Sequence, residues 1–306
     1  MPLTLPIDHA PEPTSGAGTL FVVATPIGHL EDITLRAIRT LREADLIAAE
    51  DTRHTRKLLT RHEIATPLIS FFDHNKEKRT PQLLKKLLSG ASIALVSDAG
   101  TPGVSDPGYH LITRALSRSI PVVPVPGPSA AIAALSVSGL PSDSFVFLGF
   151  VPRKPGKRRA FLEALQFEPR TLIFYESPRR LAGLIKTMRD VFGDRQAVLA
   201  RELTKIHEDV LRKNLSGIGR YLRTDDPLKG ECTLLVAGFQ YQKDVDPEAV
   251  QSYVKWLRHR GLSPSESAKR AARELGVSRN LAYQQALKLE KKQGAQDTPS
   301  GGIAQD

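Results

Sequence analysis

Three short segments rich in glycine or proline follow apolar, strand-like runs in the first half of the chain. They are TPIG at 25–28, SDAGTPGVSDPG at 97–108 and GPSA at 127–130. Glycine lets a backbone approach a bound molecule closely and proline stiffens a turn, so exposed N–H and C=O groups can contact a ligand. A single segment of this kind is explained well enough as an ordinary tight turn. Three of them at the strand ends of one sheet favour a shared small-molecule pocket.

The segment AEDTR, at 49–53, places two carboxylates at the end of another apolar run. Glu50 and Asp51 stand next to Arg53, and polar groups at a strand end can meet a substrate at the rim of a pocket. Asp51 or Thr52 is also suited to cap a helix predicted over 55–62, because either side chain can accept from a free backbone N–H. The residues alone leave both interpretations of Asp51 open.

The segment FFDHNKEKR, at 71–79, also carries polar side chains after an apolar run. Thr80 is suited to cap a helix predicted over 81–88. No capping requirement explains His74 and Asn75 together, and this favours a substrate contact for the pair.

The run VPRKPGKRR, at 151–159, holds five basic residues in nine and predicts a loop that contacts phosphates. A solvated charged surface is the alternative.

The whole chain has 43 Lys and Arg against 33 Asp and Glu, a net charge of +10 that favours a polyanionic partner. In YESPRR, at 175–180, Glu176 either faces a central cleft or pairs with Arg179 or Arg180.

The pattern of apolar runs predicts the scaffold that positions these segments. From 19 to 139, strand-like runs alternate with stretches of helical spacing, which is typical of parallel βαβ units with helices on both faces of a sheet. A second α/β unit is predicted at 140–240. The predicted strands cover 19–25, 46–50, 67–72, 92–98 and 121–126 in the first unit, and 145–150, 171–177, 196–202 and 231–239 in the second. The clearest helices of the second unit are predicted over 179–192 and 215–223.

A basic helical unit is predicted at 248–292, after a polar linker. Its three helices cover about 249–260, 264–275 and 279–292, and the last two resemble a helix-turn-helix pair. A nucleic-acid-binding appendage and a basic packing domain both fit this pattern. Residues 1–18 are expected to be a flexible leader, and 293–306 a disordered tail.

Several classes of protein are excluded by what the sequence lacks. It has no GxGxxG, no P-loop and no Cys–His metal-binding spacing, which argues against a classical dinucleotide-binding enzyme and against a metal centre. No apolar run is long enough to span a membrane, and the first residues lack the features of a secretory signal. The single cysteine, Cys232, rules out a disulfide framework, fits a reducing cytosol and is expected to be a buried thiol.

Seven segments in chain order closely resemble the ribosomal RNA small subunit methyltransferase I family. They are TLFVVATPIGHLEDITLRAI, AEDTRHTRKLL, LVSDAGTPGVSDPG, VPVPGPSAAIAALSVSGL, FLGFVPRKPGKRR, FYESPRRL and RELTKIHEDV, and the resemblance covers about 19–239. The resemblance implies an α/β fold of the tetrapyrrole-methylase type. In that fold two α/β domains hold S-adenosylmethionine in the cleft between them, here with a small C-terminal helical domain, usually as a homodimer. It also implies the residues that bind the cofactor: Pro26, Gly28, Asp98, Ala99, Gly100, Thr101, Val104, Ser129, Ala130 and Glu176.

The same resemblance implies a reaction, namely methyl transfer to the ribose 2′-hydroxyl of a cytidine in the decoding region of small-subunit (16S) ribosomal RNA. The substrate would be this RNA or the assembled small subunit, in the cytoplasm and without a membrane. A carboxylate at the pocket rim would take the hydroxyl proton, and the candidates are Asp51, Asp98 and Asp106. The residues expected to contact RNA are Arg53, His74, Asn75, Arg79, Arg153, Lys154 and Arg158.

Two positions depart from the family pattern. His29 stands where the family usually has Asn, and Lys76 follows Asn75 where the family usually has Glu. Neither lies in the segments expected to bind the cofactor, so both bear on substrate contacts.

Two alternatives share part of this pattern. A methylase of the same fold acting on a tetrapyrrole or another small molecule would keep the cofactor segments, but it has less use for a net charge of +10 and a basic helical appendage. A non-enzymatic RNA-binding factor would explain the charge but not three cofactor-type segments.

Overall fold

The first half of the chain folds into a five-stranded parallel sheet, in a computed structural model that describes residues 16–104, 108–222, 229–240 and 246–294. The strand order is β3-β2-β4-β1-β5. Its elements are β1 (Leu20–Val23), α1 (Leu35–Glu43), β2 (Leu46–Ala49), α2 (Thr52–Arg61), β3 (Leu68–Ser70), α3 (Lys76–Leu88), β4 (Ile93–Val96), α4 (Gly108–Leu116), β5 (Val122–Val125) and α5 (Ala130–Ser138).

Helices cover both faces of this sheet, as the alternation of strand and helix predicts. One core packs α1 and α2 against the sheet, around Leu41, Ile47 and Leu58. The other packs α3 and α4 against the opposite face, around Leu83 and Leu111. The strands are short, and the three central ones, β1, β2 and β4, are mostly buried, which is the usual condition of a parallel sheet.

The second half contains a mixed five-stranded sheet in the order β6-β7-β10-β8-β9. Its elements are β6 (Phe145–Phe150), α6 (Pro155–Glu163), β7 (Thr171–Glu176), α7 (Pro178–Phe192), β8 (Gln196–Arg201), β9 (Asp209–Asn214), α8 (Leu215–Tyr221) and β10 (Cys232–Val236). β10 runs antiparallel to both β7 and β8, so Cys232 pairs with Glu176 on one side and with Arg201 on the other. The start of β10 therefore lies at the same edge as the ends of β7 and β8.

Helix α5 joins the two halves. Its residues Ala131, Ala134 and Leu135 are buried against Ile173 and Leu235 of the second sheet. Alternate residues of the same strands point to the opposite face, where they form a second core with α6, α7 and α8. The helix that follows the GPSA segment thus fixes that segment against the second domain.

Three further helices form a separate cluster at the C-terminal end: α9 (Pro247–His259), α10 (Pro264–Leu275) and α11 (Arg279–Gly294). They pack around Phe167, Tyr253 and Leu257. The indole Nε1 of Trp256 donates to the carbonyl of Ala164 at 3.1 Å, which ties the cluster to the second domain. Gly276 ends α10 in a left-handed conformation at φ +62°, so a tight turn separates α10 from α11.

The structure corrects two predictions from the sequence and adds one strand. The basic run at 151–159 is a loop only to Lys154, because Pro155 begins α6. Helix α3 begins at Lys76, so Thr80 lies inside it and does not cap it. Strand β9 was not predicted, since its sequence DVLRKN is mostly polar and only partly buried.

The predicted leader and tail fall mostly outside the residues that the structure describes. Residues 1–15 and 295–306 are in this category, while residues 293 and 294 belong to α11. Within the described residues, no helix is long and apolar enough to cross a membrane. No group of three or more His, Cys, Asp or Glu side chains suited to a metal ion occurs in that part of the chain.

Candidate active site

The three glycine- and proline-rich segments meet at one edge of the first sheet, because β4, β1 and β5 are neighbours. The N–H of Thr25 donates to the carbonyl of Gly100 at 2.9 Å, and the N–H of Gly100 donates back to Thr25 at 3.0 Å. The Thr101 hydroxyl donates to the carbonyl of Pro128 at 3.3 Å. Hydrogen bonds thus join all three segments into one surface.

Gly100 has a backbone conformation that the turn requires. Its φ is +81°, in the left-handed region where a side chain causes strain. Residues 98–101, which include this glycine, line a cavity.

This cavity has a volume of about 410 Å³ and lies between the two domains. Eight residues predicted to bind the cofactor line it: Asp98, Ala99, Gly100, Thr101, Val104, Ser129, Ala130 and Glu176. Pro26 and Gly28 are not among the lining residues, although Ile27 between them is.

Gly28 packs against the second domain instead. A Cβ at this position would lie 2.6 Å from Cγ of Lys205 and 3.0 Å from the carbonyl oxygen of Leu203. The N–H of His29 donates to the Thr204 hydroxyl at 3.0 Å. The TPIG segment therefore brings the two domains together beside the cavity.

His29, one of the two departures from the family pattern, has a local role. Its Nδ1 accepts from the N–H of Glu31 at 3.3 Å and caps a short 3₁₀ helix at Leu30–Asp32. An Asn side chain can cap in the same way. The other departure, Lys76, pairs with Asp73 at 3.0 Å.

Asp98 is the predicted general-base candidate that lines the cavity. Its Oδ1 accepts from the N–H of Asp51 at 2.8 Å, and its own N–H donates to Glu50 Oε2 at 3.4 Å. Glu50 also lines the cavity. Two carboxylates from neighbouring strand ends thus face the same space.

Asp51 is held differently. Its Oδ1 accepts from the N–H of Arg53 at 2.8 Å as the N-cap of α2, and its Oδ2 lies 2.9 Å from Nη2 of the Arg53 guanidinium. Hydrogen bonding to Arg53 lowers the pKa of Asp51 to about 2. This carboxylate caps a helix and is a weak base at neutral pH. Asp106, the third candidate, lies outside the described residues.

The second domain supplies the opposite wall. Glu176 is almost fully buried at the end of β7, where Oε1 accepts from the N–H of Ser177 at 2.7 Å and Oε2 lies 3.0 Å from Nη2 of Arg180. Glu176 therefore both faces the cleft and pairs with Arg180, two roles that the sequence presented as alternatives. Burial raises the pKa of the Cys232 thiol, which also lines the cavity, to about 11.

The side chains predicted to contact RNA near β2 and β3 stand outside the cavity. Arg53 is almost fully exposed, and His74 is exposed as well. Asn75 is occupied by its own loop, since its Oδ1 accepts from the N–H of Phe72 at 2.9 Å and its Nδ2 donates to the carbonyl of Ser70 at 3.2 Å. Arg79 donates to the Gln82 side chain at 3.1 Å.

The basic residues after β6 divide into two groups. Arg153 and Lys154 are exposed in the loop before α6, and Lys157 is exposed in its first turn. Arg158 is half-buried, with its guanidinium 3.5 Å from where a Cβ on Gly183 of α7 would lie. Arg153 and Lys154 are therefore better placed for an external phosphate than Arg158.

Several lining residues escaped sequence reasoning, and most belong to the second domain: Phe150, Tyr175, Ala200, Leu203, Gly230, Glu231, Cys232 and Thr233. The signal that could have found Phe150 and Tyr175 is their position at the ends of predicted strands. The residues at 230–233 stand at the start of a strand, so only the antiparallel pairing of β10 brings them to this edge.

Comparison with known proteins agrees with this architecture. Residues 19–219 match the family model described as Tetrapyrrole (Corrin/Porphyrin) Methylases. The crystal structure of the methyltransferase CobJ is similar in fold, with a TM-score of 0.57 at 19% identity, covering 76% of this chain and 98% of that one. The fold and the cavity between its two domains thus define a methyltransferase of the tetrapyrrole-methylase class.

Two similar proteins identify the family within this class. A protein of Pseudomonas aeruginosa named Ribosomal RNA small subunit methyltransferase I is 49% identical over 281 residues, covering 90% of this chain and 99% of the relative. A protein of the same name from Halalkalibacterium halodurans is 47% identical, covering 87% and 93%. The chain belongs to the ribosomal RNA small subunit methyltransferase I family.

The cofactor of this methyltransferase family is S-adenosylmethionine, and the cavity fits it. A volume of about 410 Å³ suits a ligand of this size. The Ser97 hydroxyl in the wall is buried and has no hydrogen-bond partner among the described residues. Residues 98–101 line the same space, together with the apolar residues Ile27 and Val104.

Proposed function

We propose that this chain transfers the methyl group of S-adenosylmethionine to the ribose 2′-hydroxyl of a cytidine in the decoding region of small-subunit (16S) ribosomal RNA. The observation that carries the proposal is a cofactor-sized cavity lined by Asp98 and Phe150, with the exposed cations Arg153 and Lys154 following Phe150 three and four residues along the chain. The names of relatives at 45–49% identity support ribosomal RNA as the substrate class.

A nucleic acid explains features that a small-molecule substrate leaves unexplained. The chain has a net charge of +10, and neither Arg153 nor Lys154 forms an ion pair with a described residue. Phosphate contacts of this kind hold a backbone in register and give most of the binding energy. Arg53, in the first turn of α2, and Arg79, in the first turn of α3, are further candidates for phosphate contacts.

The chemistry required of the protein is mainly positioning. Bound S-adenosylmethionine supplies an activated methyl group. The chain must hold the ribose 2′-oxygen in line with that methyl group, and it must accept the proton of the 2′-hydroxyl. Asp98 is our candidate for the proton acceptor, because its carboxylate lies on the cavity wall while that of Asp51 is held by Arg53.

We also propose that the chain acts as a homodimer in the cytoplasm, on small-subunit RNA or on the assembled subunit. Helix α5 supports a dimer because its outer face exposes Ile132 and Val137, while its inner face is buried against the second sheet. Light scattering would then give twice the 33.6 kDa mass of the chain. A mass of one chain at micromolar concentration would contradict the dimer.

Methyl transfer in vitro tests the reaction. Purified protein is mixed with tritiated S-adenosylmethionine and small ribosomal subunits from cells that lack this gene, and the RNA is digested to nucleosides. We expect label in 2′-O-methylcytidine. A cobalt-free tetrapyrrole replaces the subunits in a parallel reaction. Label in the tetrapyrrole but not in RNA would support the assignment of the cavity to the cofactor and would contradict RNA as the substrate.

A further inference from the structure

Phe150 is a large apolar side chain left open at the mouth of the cavity. It is the last residue of β6, it lines the cavity, and 56% of it is exposed to solvent. Isolated exposed apolar residues are common on proteins. This one differs because it forms part of the wall of the proposed active site.

The ring of Phe150 is supported on one side. It meets Tyr175 edge-on, with ring centroids 5.9 Å apart at an interplanar angle of 61°. Tyr175 meets Phe147 in the same manner at 4.9 Å and 69°. The Tyr175 hydroxyl accepts from the N–H of Ala131 at 3.2 Å, so the first domain holds this row of three rings in place.

The backbone beyond Phe150 is fixed as well. Val151 is buried, and its carbonyl accepts from Arg180 Nη2 at 2.8 Å. The same guanidinium pairs with Glu176 inside the cleft. Arg153 and Lys154 follow within four residues of Phe150 and are exposed. An exposed ring at the cavity wall is therefore followed closely along the chain by two exposed cations suited to phosphates.

We propose that Phe150 forms a nucleobase subsite, in which its ring stacks on the base of the nucleotide whose ribose enters the cavity. The proposal rests on the proposed RNA substrate and deepens it. A ribose hydroxyl can reach an enclosed site only if its nucleotide leaves the helical stack, and unstacked bases are commonly received by aromatic side chains. The neighbouring cations would hold the flanking phosphates.

The test compares substitutions at the two ends of one strand. Phe150→Ala removes the proposed stacking surface. Phe145→Ala is the matched control, because Phe145 begins the same strand, is 36% exposed and does not line the cavity. Phe150→Trp keeps a stacking surface. Each variant is assayed for methyl transfer to subunits, for S-adenosylhomocysteine affinity by calorimetry and for thermal stability.

We expect Phe150→Ala to lower kcat/KM for subunits on the order of 10- to 100-fold, as for loss of one aromatic–base stack. Its affinity for S-adenosylhomocysteine should stay within about twofold of the wild type. Phe150→Trp should restore most of the activity, and Phe145→Ala should behave as the wild type.

Equal activity of Phe150→Ala and Phe145→Ala would overturn the subsite. A loss of S-adenosylhomocysteine affinity that matches the loss of activity would overturn it as well, and would assign the ring to the cofactor. If the wild-type chain labels no RNA while it binds S-adenosylhomocysteine, the proposed function itself fails, which is a different result from either of these.

Discussion

The carboxylates at the first-domain strand ends show how residues of one type acquire different roles. Asp51 and Asp98 are joined by a single hydrogen bond, yet Asp51 caps α2 and pairs with Arg53 while Asp98 lines the cavity. The sequence predicts both near the site, because Asp51 follows the predicted strand at 46–50 and Asp98 ends the one at 92–98. The sequence does not tell which of the two caps a helix and which lines the cavity, because that depends on the direction of each side chain within its loop.

Asp98→Asn should therefore lower kcat by about 100-fold or more, the usual effect of losing a general base. Asn keeps an oxygen that can accept from the N–H of Asp51, so the loop should hold its shape. Asp51→Asn is the matched control and should retain activity within about threefold, because Asn is also a good N-cap. Rates and S-adenosylhomocysteine affinities are measured for both variants. Wild-type kcat in Asp98→Asn would exclude Asp98 as the base.

Cys232 gives a prediction with a defined pH dependence. Its thiol pKa is raised to about 11 by burial, so at pH 8 only about one thiol in a thousand is ionised. A thiol reagent should react slowly with the native protein, and faster as the pH rises. The chain has one cysteine, so the signal is unambiguous. Native reactivity equal to that in guanidinium would show that the thiol is not buried.

Helices and strands can be predicted from the sequence where the local residue pattern is sufficient to define them. The parallel strands of the first domain and helices α7 and α10 lie within about three residues of their predicted bounds. Helix α6 and strand β9 were missed, because a basic run with an internal proline suggests a loop and a polar strand lacks apolar alternation. The antiparallel insertion of β10 depends on pairing across the chain, which no local pattern records.

Helix α10 offers a test of local stabilisation. Ser263 and Glu266 form a capping box, in which the Ser263 hydroxyl accepts from the N–H of Glu266 and the Glu266 carboxylate accepts from the N–H of Ser263. Ser263→Ala should lower the free energy of unfolding of the C-terminal helices by about 1 kcal/mol. Ser265→Ala, exposed on the same helix, is the control. Equal denaturant midpoints for the two variants would contradict the role of the cap.

At the scale of the whole molecule, the fold divides the work between a cofactor cavity and a basic exterior. Replacing both Arg153 and Lys154 with Ala should weaken RNA binding and reduce the slope of log affinity against log salt by about 1 for each phosphate that is no longer neutralised. S-adenosylhomocysteine affinity should not change. Lys186→Ala, exposed on α7, is the control. A parallel drop in cofactor affinity in the double variant would refute this division.

The measurement that tests the central claim most directly maps ribose methylation in cells. Small-subunit RNA is prepared from a strain lacking this gene, and from the same strain carrying either the wild-type gene or Asp98→Asn, and its nucleosides are located by mass spectrometry of RNA fragments. We predict that one 2′-O-methylcytidine in the decoding region is absent without the gene, returns with the wild type and does not return with Asp98→Asn. A methylation pattern that is the same with and without the gene would contradict the account.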